Sequence, residues 1–483
     1  MNNLKKWRNV LMIGLFIFTF IMIGMHLYFE NLPKIFSADE KTLLGQESWE
    51  HKCKSVVDVD LGEVEIRGFN HMGSIRAYMD FSADEKRLAI GTDSGEILLL
   101  QTEDGKILWR QQVGIGKITA LAFSPDGQSI YVGETSPEGR MICLESQTGK
   151  VTWNYKTVED IGVDLKHGSL PGTVKIICDQ EKNVYFLSKR YENDQNGKIV
   201  YRAKIFCFDE QGEKKWAMPN ASNLDAWVDW ISVDEKMNTL VFGTANVSGM
   251  QYEFADSLYY VNAKTGEIKN SVQIAGIVPY EKTAMRGSPN ISVDGNFVSA
   301  MASDGRAFLY DGKGTLLWKR TLSEPKKFGD VYLNAVGRDA FIIKDYVVFS
   351  TLNTYNSANW QLPTPVEHPS SNSIYVFNKT GEFLYQWKAG GAVEDVAFAY
   401  PYAAIAVGKN TKTKNVEVHG LRLLNLETGE IEVQIPTKGP NIAAAISKNG
   451  TYIAAVEVPL KKNDGTVVGT YTLHLLRNEE RKN

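Results

Sequence analysis

The side chains best suited to chemistry in this 483-residue chain are four cysteines (Cys53, Cys143, Cys178 and Cys207) and seven histidines. Their spacing does not build a reactive centre. There is no CxxC, no CxxCH and no adjacent cysteine pair, and the histidines show neither HxH nor HExxH. A covalent haem or a zinc centre would need one of those arrangements. Cys143, Cys178 and Cys207 lie in apolar strand patterns and are expected as buried free thiols. Glu159, Asp160, Asp164 and His167 share one short stretch that could bind a metal, but a polar surface loop accounts for it more simply. Asp58, Asp60 and Glu63 resemble the start of a calcium loop without its third-ligand spacing or its terminal Glu. Ser124-Pro125-Asp126-Gly127 is a turn, not a nucleophile elbow. The expectation is no catalytic residue, no metal site and no cofactor.

A second kind of chemistry is contact. The segment 353–371 carries Tyr355, Trp360 and His368 among prolines. Exposed aromatics of this kind bury large areas at low entropic cost when a protein docks. The neighbouring stretch 322–336 adds Lys326, Lys327 and Phe328, and 275–287 adds Tyr280. These are the candidate partner-binding residues.

The elements that must position them are repeats. Thr148-Gly149-Lys150 followed by Trp153 recurs as Gly105 with Trp109, Gly212 with Trp216 and Gly314 with Trp318. Weaker copies stand at Gly266, Gly381 and Gly429, so the copies lie 44 to 67 residues apart. Each unit reads as four short strands, a to d. A second turn, between strands a and b, recurs at Ser82, Ser124, Asp179, Ser232, Ser292, Lys344, Ala399 and Ser447. Asp, Gly and Pro serve these hairpins because they accept positive φ or preset φ. The last unit lacks a fourth strand, and the β-branched stretch 55–61 is expected to supply it and close a ring. The pattern predicts an all-β, eight-bladed β-propeller over 55–478, with seven blades as the alternative.

The Gly-x-x-x-Trp turn resembles the repeat of quinoprotein-type (PQQ-like) propellers. That group includes alcohol dehydrogenases using pyrroloquinoline quinone and a non-catalytic scaffold of outer-membrane assembly. The Ser-Pro-Asp-Gly turn also resembles that of WD-repeat propellers, without their Gly-His and Trp-Asp signatures. The resemblance implies that Trp109, Trp153, Trp216 and Trp318 dock between blades as structural residues. It also implies, for the enzymes, stacking groups, a Ca²⁺ held by Glu, Asn and Asp, and often an adjacent-cysteine disulfide. No such set is identifiable here, which places the chain nearer the scaffold members.

Composition bounds the function. The chain is 43% hydrophobic with a formal net charge of -4, which argues against a general nucleic-acid binder. Residues 10–29 contain no Asp, Glu, Lys or Arg, and a basic tail precedes them over 1–9. A helix of that length spans roughly 30 Å, a bilayer core. The basic flank predicts a single-pass anchor in the plasma membrane, N-terminus inside and propeller outside. Residues 30–54 read as a linker and 479–483 as a tail. The b–c and d–a loops, all on one face, are long and variable, and loops on rigid scaffolds often carry binding. The expected function is a membrane-anchored interaction scaffold or accessory subunit of a membrane or envelope complex, with a protein partner. The alternatives are a divergent quinoprotein dehydrogenase and a ligand-sensing or transporter accessory propeller.

Overall fold

The computed structural model describes residues 34–37, 52–71, 77–193, 199–236, 238–245, 253–277, 284–356 and 366–479. Among them the chain is almost entirely strand, with one short helix, Val158–Ile161. Among the described residues no helix is long and apolar enough to cross a membrane, and the expected span 10–29 lies outside them.

Four consecutive strands pair antiparallel, in chain order, within each of 78–112, 117–156, 172–218, 231–273, 290–321, 331–388 and 393–436. The segment 441–478 supplies three further strands, and Cys53–Asp60 completes that sheet by pairing antiparallel with Thr472–Asn478. The first strands of these units touch in succession, and Asn441–Ile446 meets Tyr78–Phe81 to close the circle. Between the sixth and seventh units the link includes an Arg338 N–H donating to the Val393 carbonyl at 2.8 Å.

The strand sequences explain their positions in the sheets. Second and third strands are packed on both faces by neighbouring sheets, so they read as continuous apolar runs. Leu88–Ile90 and Ile97–Leu100 are fully buried. Fourth strands lie at the outer edge and alternate, as in Ile107–Gln112, where Trp109 and Gln111 are the half-buried positions. Three of the first-to-second turns share one bonding scheme. The hydroxyl of Ser82, Ser124 or Ser292 donates at 2.6 Å to the Asp two residues on. The same oxygen accepts the N–H five residues on, at 2.9–3.0 Å. The Ser292 hydroxyl, and then the Asn296 N–H, hold the Asp294 carboxyl down to about 2. A sequence that reads as Ser-x-Asp-Gly thus folds back without help from the core.

Inner strands are tied across the seams by side chains. Asp80 accepts the Phe123 N–H at 2.8 Å, Asn290 that of Ile342 at 3.1 Å and Asp395 that of Ala444 at 3.0 Å. Each polar residue satisfies a backbone donor of the next unit that lies beyond its own ladder.

Two stretches at the loop end are paired strand. Val184–Asn193 and Ile199–Phe208 stay in register up to Asn193 opposite Ile199. Alternating long side chains let this ribbon run past the sheet, with Tyr191 and Tyr201 rings 6.5 Å apart. Within 322–336, Lys326–Phe328 pairs with Val331–Leu333. In the expected linker, Lys34–Ser37 pairs parallel with the outer strand Phe383–Lys388.

Candidate functional site

The repeat tryptophans sit at the seams. The indole N–H of Trp109 donates to the Ser146 carbonyl at 2.9 Å, that of Trp153 to Glu210 at 3.0 Å, that of Trp216 to Ala263 at 3.0 Å and that of Trp318 to Lys379 at 3.1 Å. Each bond reaches the third-to-fourth turn of the next unit. A Cβ at Gly212 would come within 2.8 Å of the Trp153 ring, and its φ of 88° is left-handed besides. Gly149 lies against Gln111, Gly105 against Val57 of the closing strand, and Gly314 against Asn270.

Two other tryptophans are placed differently. Asp225-Ala226-Trp227-Val228-Asp229-Trp230 joins the third unit to the fourth, outside the repeat register. Trp227 is bridged to Ala245, at the loop end of its unit. Its indole N–H and the Lys189 ammonium both bond to the Asp229 carboxylate. The Lys189 ammonium lies 5.3 Å from the Trp227 ring centre, and the Arg286 guanidinium 5.8 Å. The Tyr201 ring is 5.4 Å from Trp227, and Tyr191 beyond it is 60% exposed. Aromatic rings thus run from the ribbon surface inwards, flanked by two cations.

Trp230 carries a cation as well. Lys175, on an inner strand, places its ammonium 3.6 Å from the Trp230 ring centre. Among the described residues Lys175 has no carboxylate within ion-pairing distance. Burial pushes its pKa down to about 8, against the attraction of Asp395, Asp80 and Asp339. Those carboxylates come from three other units, so all four side chains face a common axial space. Burial pushes Asp80 up to about 6 and raises Asp395 too, despite their backbone N–H partners. At the other end of the ring, a cavity of about 540 Å³ lies among turn residues including Glu85, Arg87, Tyr452 and Arg477. Its lining mixes charged and hydroxyl side chains with Gln101 and Leu108.

The residues expected from sequence divide into three groups. Lys326, Lys327 and Phe328 form an exposed strand, with Tyr332 exposed opposite Lys327. His368 is not on the surface. It is buried, its ring bonds to the Glu324 carbonyl at 2.7 Å, and burial lowers its pKa. It ties 353–371 to 322–336, so those two stretches are brought together. Tyr355 pairs through its backbone with Asn334, while Trp360 and Tyr280 lie outside the described residues. The acids of 157–171 disperse: His167 bonds to Asp164 at 2.7 Å, while Asp160 bonds to Tyr155. All four cysteines are free thiols. Sequence reasoning missed Trp227, Trp230, Lys175, Lys189 and Arg286. The available signal was two tryptophans out of step with the repeat.

The axial site was tested against pyrroloquinoline quinone, the group implied for the enzymes of the resembled family. Lys175 covers the exposed face of Trp230, and Asp80 and Asp395 are committed to backbone N–H groups. No group of three or more His, Cys, Asp or Glu side chains able to hold a metal occurs among the described residues. The described residues do not fit that cofactor with its Ca²⁺.

Comparison with known proteins agrees with the repeat reading. The model of the family described as outer membrane protein assembly factor BamB matches residues 38–171. The crystal structure of BamB from Moraxella catarrhalis superposes with a TM-score of 0.52 at 14% identity, covering 89% of this chain and 99% of that one. The likeness shows the fold, a β-propeller. Quinohemoprotein alcohol dehydrogenase ADH IIB of Pseudomonas putida is 23% identical over 201 residues, 34% of this chain and 28% of that protein. Abnormal embryogenesis protein 30 of Caenorhabditis elegans is 29% identical over 93 residues, 17% of this chain and 9% of that protein. The matches thus span about a tenth and just over a quarter of those relatives. The chain resembles PQQ-like propeller repeats.

Proposed function

We propose that the chain is an eight-bladed propeller held to the outer side of the cytoplasmic membrane by residues 10–29, and that it acts as a non-catalytic interaction scaffold or accessory subunit of a membrane or envelope complex. One observation carries this reading: the two ends of the ring differ in kind. The turn end is made of short turns braced by Ser–Asp and indole bonds. The loop end gathers Tyr191, Ile199, Lys326, Lys327, Phe328 and Tyr332 in exposed positions on ribbons that project from the sheets. The resemblance to BamB, whose name is that of an assembly factor, supports a protein partner. The apolar run and its basic flank support the anchor.

The test is crosslinking of the full chain in intact membranes, followed by solubilisation and purification. A stoichiometric partner is expected, and it should be lost when Trp227→Ala and Phe328→Ala are combined in a variant that keeps the native Tm. A chain that purifies alone from crosslinked membranes, or a variant with an unchanged association, overturns the proposal.

The similarity to a quinohemoprotein dehydrogenase motivates one rival reading. Reconstitution with pyrroloquinoline quinone and Ca²⁺ should give no dye-linked alcohol oxidation if the axial site is as described. Turnover would favour the enzyme.

A further inference from the structure

The sheet that closes the ring is clasped by a histidine. His474 lies on Thr472–Asn478, between the closing strand Cys53–Asp60 on one side and Tyr452–Glu457 on the other. Its Nδ1 is 2.8 Å from an Asp58 carboxylate oxygen and its Nε2 is 3.1 Å from one of Glu457. Asp58 is its direct cross-strand partner. Glu457 is buried, and its other oxygen accepts the Gly439 N–H at 2.5 Å.

Valence decides what this geometry means. A neutral imidazole has one N–H and one lone pair, so it can donate to only one carboxylate and must turn a lone pair to the other. With both carboxylates ionised, only the imidazolium satisfies both contacts. Glu457 also accepts the Gly439 N–H, so its carboxyl is fixed in place beside the ring.

We propose that His474 is a proton-operated clasp on the ring: charged, it binds the closing strand to the body of the last sheet, and neutral, it releases the Asp58 contact and loosens the closing strand.

The surroundings do not supply a substitute for that proton. From the closing strand the facing group is Asp58, and from Tyr452–Glu457 it is Glu457. The neighbouring unit presents His419 and Arg422. Burial pushes His419 down to about 4, so it is neutral, and its Nδ1 faces the Lys438 carbonyl at 3.1 Å. Arg422 is buried and donates to the Leu421 and Val418 carbonyls. For His474 itself, burial lowers the pKa, but Glu457 and Asp58 together outweigh it and the net shift is upward. A raised folded-state value means that the clasp contributes fully below the ordinary imidazole value of about 6.5 and is lost as pH climbs through the raised one.

Cys53 provides a local reporter. It is buried at the start of the closing strand, opposite Asn478, whereas Cys143 is buried in a different unit. The full chain is alkylated with iodoacetamide between pH 6 and pH 9, and the Cys53-to-Cys143 labelling ratio is read by peptide mass spectrometry. Each rate is normalised to the unfolded chain at the same pH. The ratio should rise several-fold across that range. In His474→Asn it should be high at every pH and flat. Asp58→Asn alters a side chain that is 63% exposed, so it keeps the fold and should reduce the slope. A native ratio that stays constant overturns the clasp. So does a native slope retained in His474→Asn or, if that variant does not fold, in Asp58→Asn.

Discussion

Trp318 and Trp227 are the same residue in two kinds of place. Trp318 is 8% exposed, lies tilted 5.4 Å from Phe377 with the Arg320 guanidinium 5.7 Å from its ring, and gives its N–H to a backbone carbonyl in the next unit. Trp227 is half-buried, gives its N–H to a carboxylate and meets two cations. The first environment consumes every polar atom in joining sheets. The second leaves ring faces and charges at a surface. The repeat thus places its tryptophans at the seams between sheets, whereas Trp227, outside the repeat register, is held by charged side chains.

The contrast can be broken most decisively at Trp318. Replacing a buried aromatic by Ala typically costs about 3–5 kcal/mol, and Trp318→Ala should lower the urea midpoint accordingly. Trp227→Ala, at a half-buried ring, should cost clearly less, about 1–2 kcal/mol. Equal losses would erase the distinction. Next in size is Gly212→Ala, where a left-handed φ and contact with the Trp153 ring act together. A loss of about 1–3 kcal/mol in the same measurement is expected, larger than for a glycine in open space such as Gly168. A pH-dependent effect of comparable size belongs to Lys175. Its folded pKa near 8 lies below the unfolded value of about 10.4, so the unfolded chain binds more protons between them and stability rises with pH there. Lys175→Met should flatten that rise in urea midpoints taken from pH 7.5 to 10.

Much of the scaffold was legible because turn chemistry is local. Ser124 and Asp126 fold the chain through bonds made within five residues, and so reveal themselves to a reader of the sequence. The strand 55–61 was legible as a candidate for closure because its alternation needed a partner and the last unit lacked one. The loop end was not legible in the same way. Lys189 meets Asp229 across 40 residues, and Lys175 feels carboxylates from three distant units. Such encounters depend on the ring itself. His368 shows the opposite failure: a histidine in a loop of exposed-looking composition is buried as a tie between segments 44 residues apart.

The closing strand also sets a clock. Asp58 and its partner His474 are 416 positions apart. At roughly 5–20 residues per second, translation separates them by about 20–80 s. For that interval Cys53–Asp60 exists as an alternating, β-branched strand with its intended neighbour still unmade, able to pair with any open sheet edge it meets. A strand made early in the chain is therefore among the last to find its place.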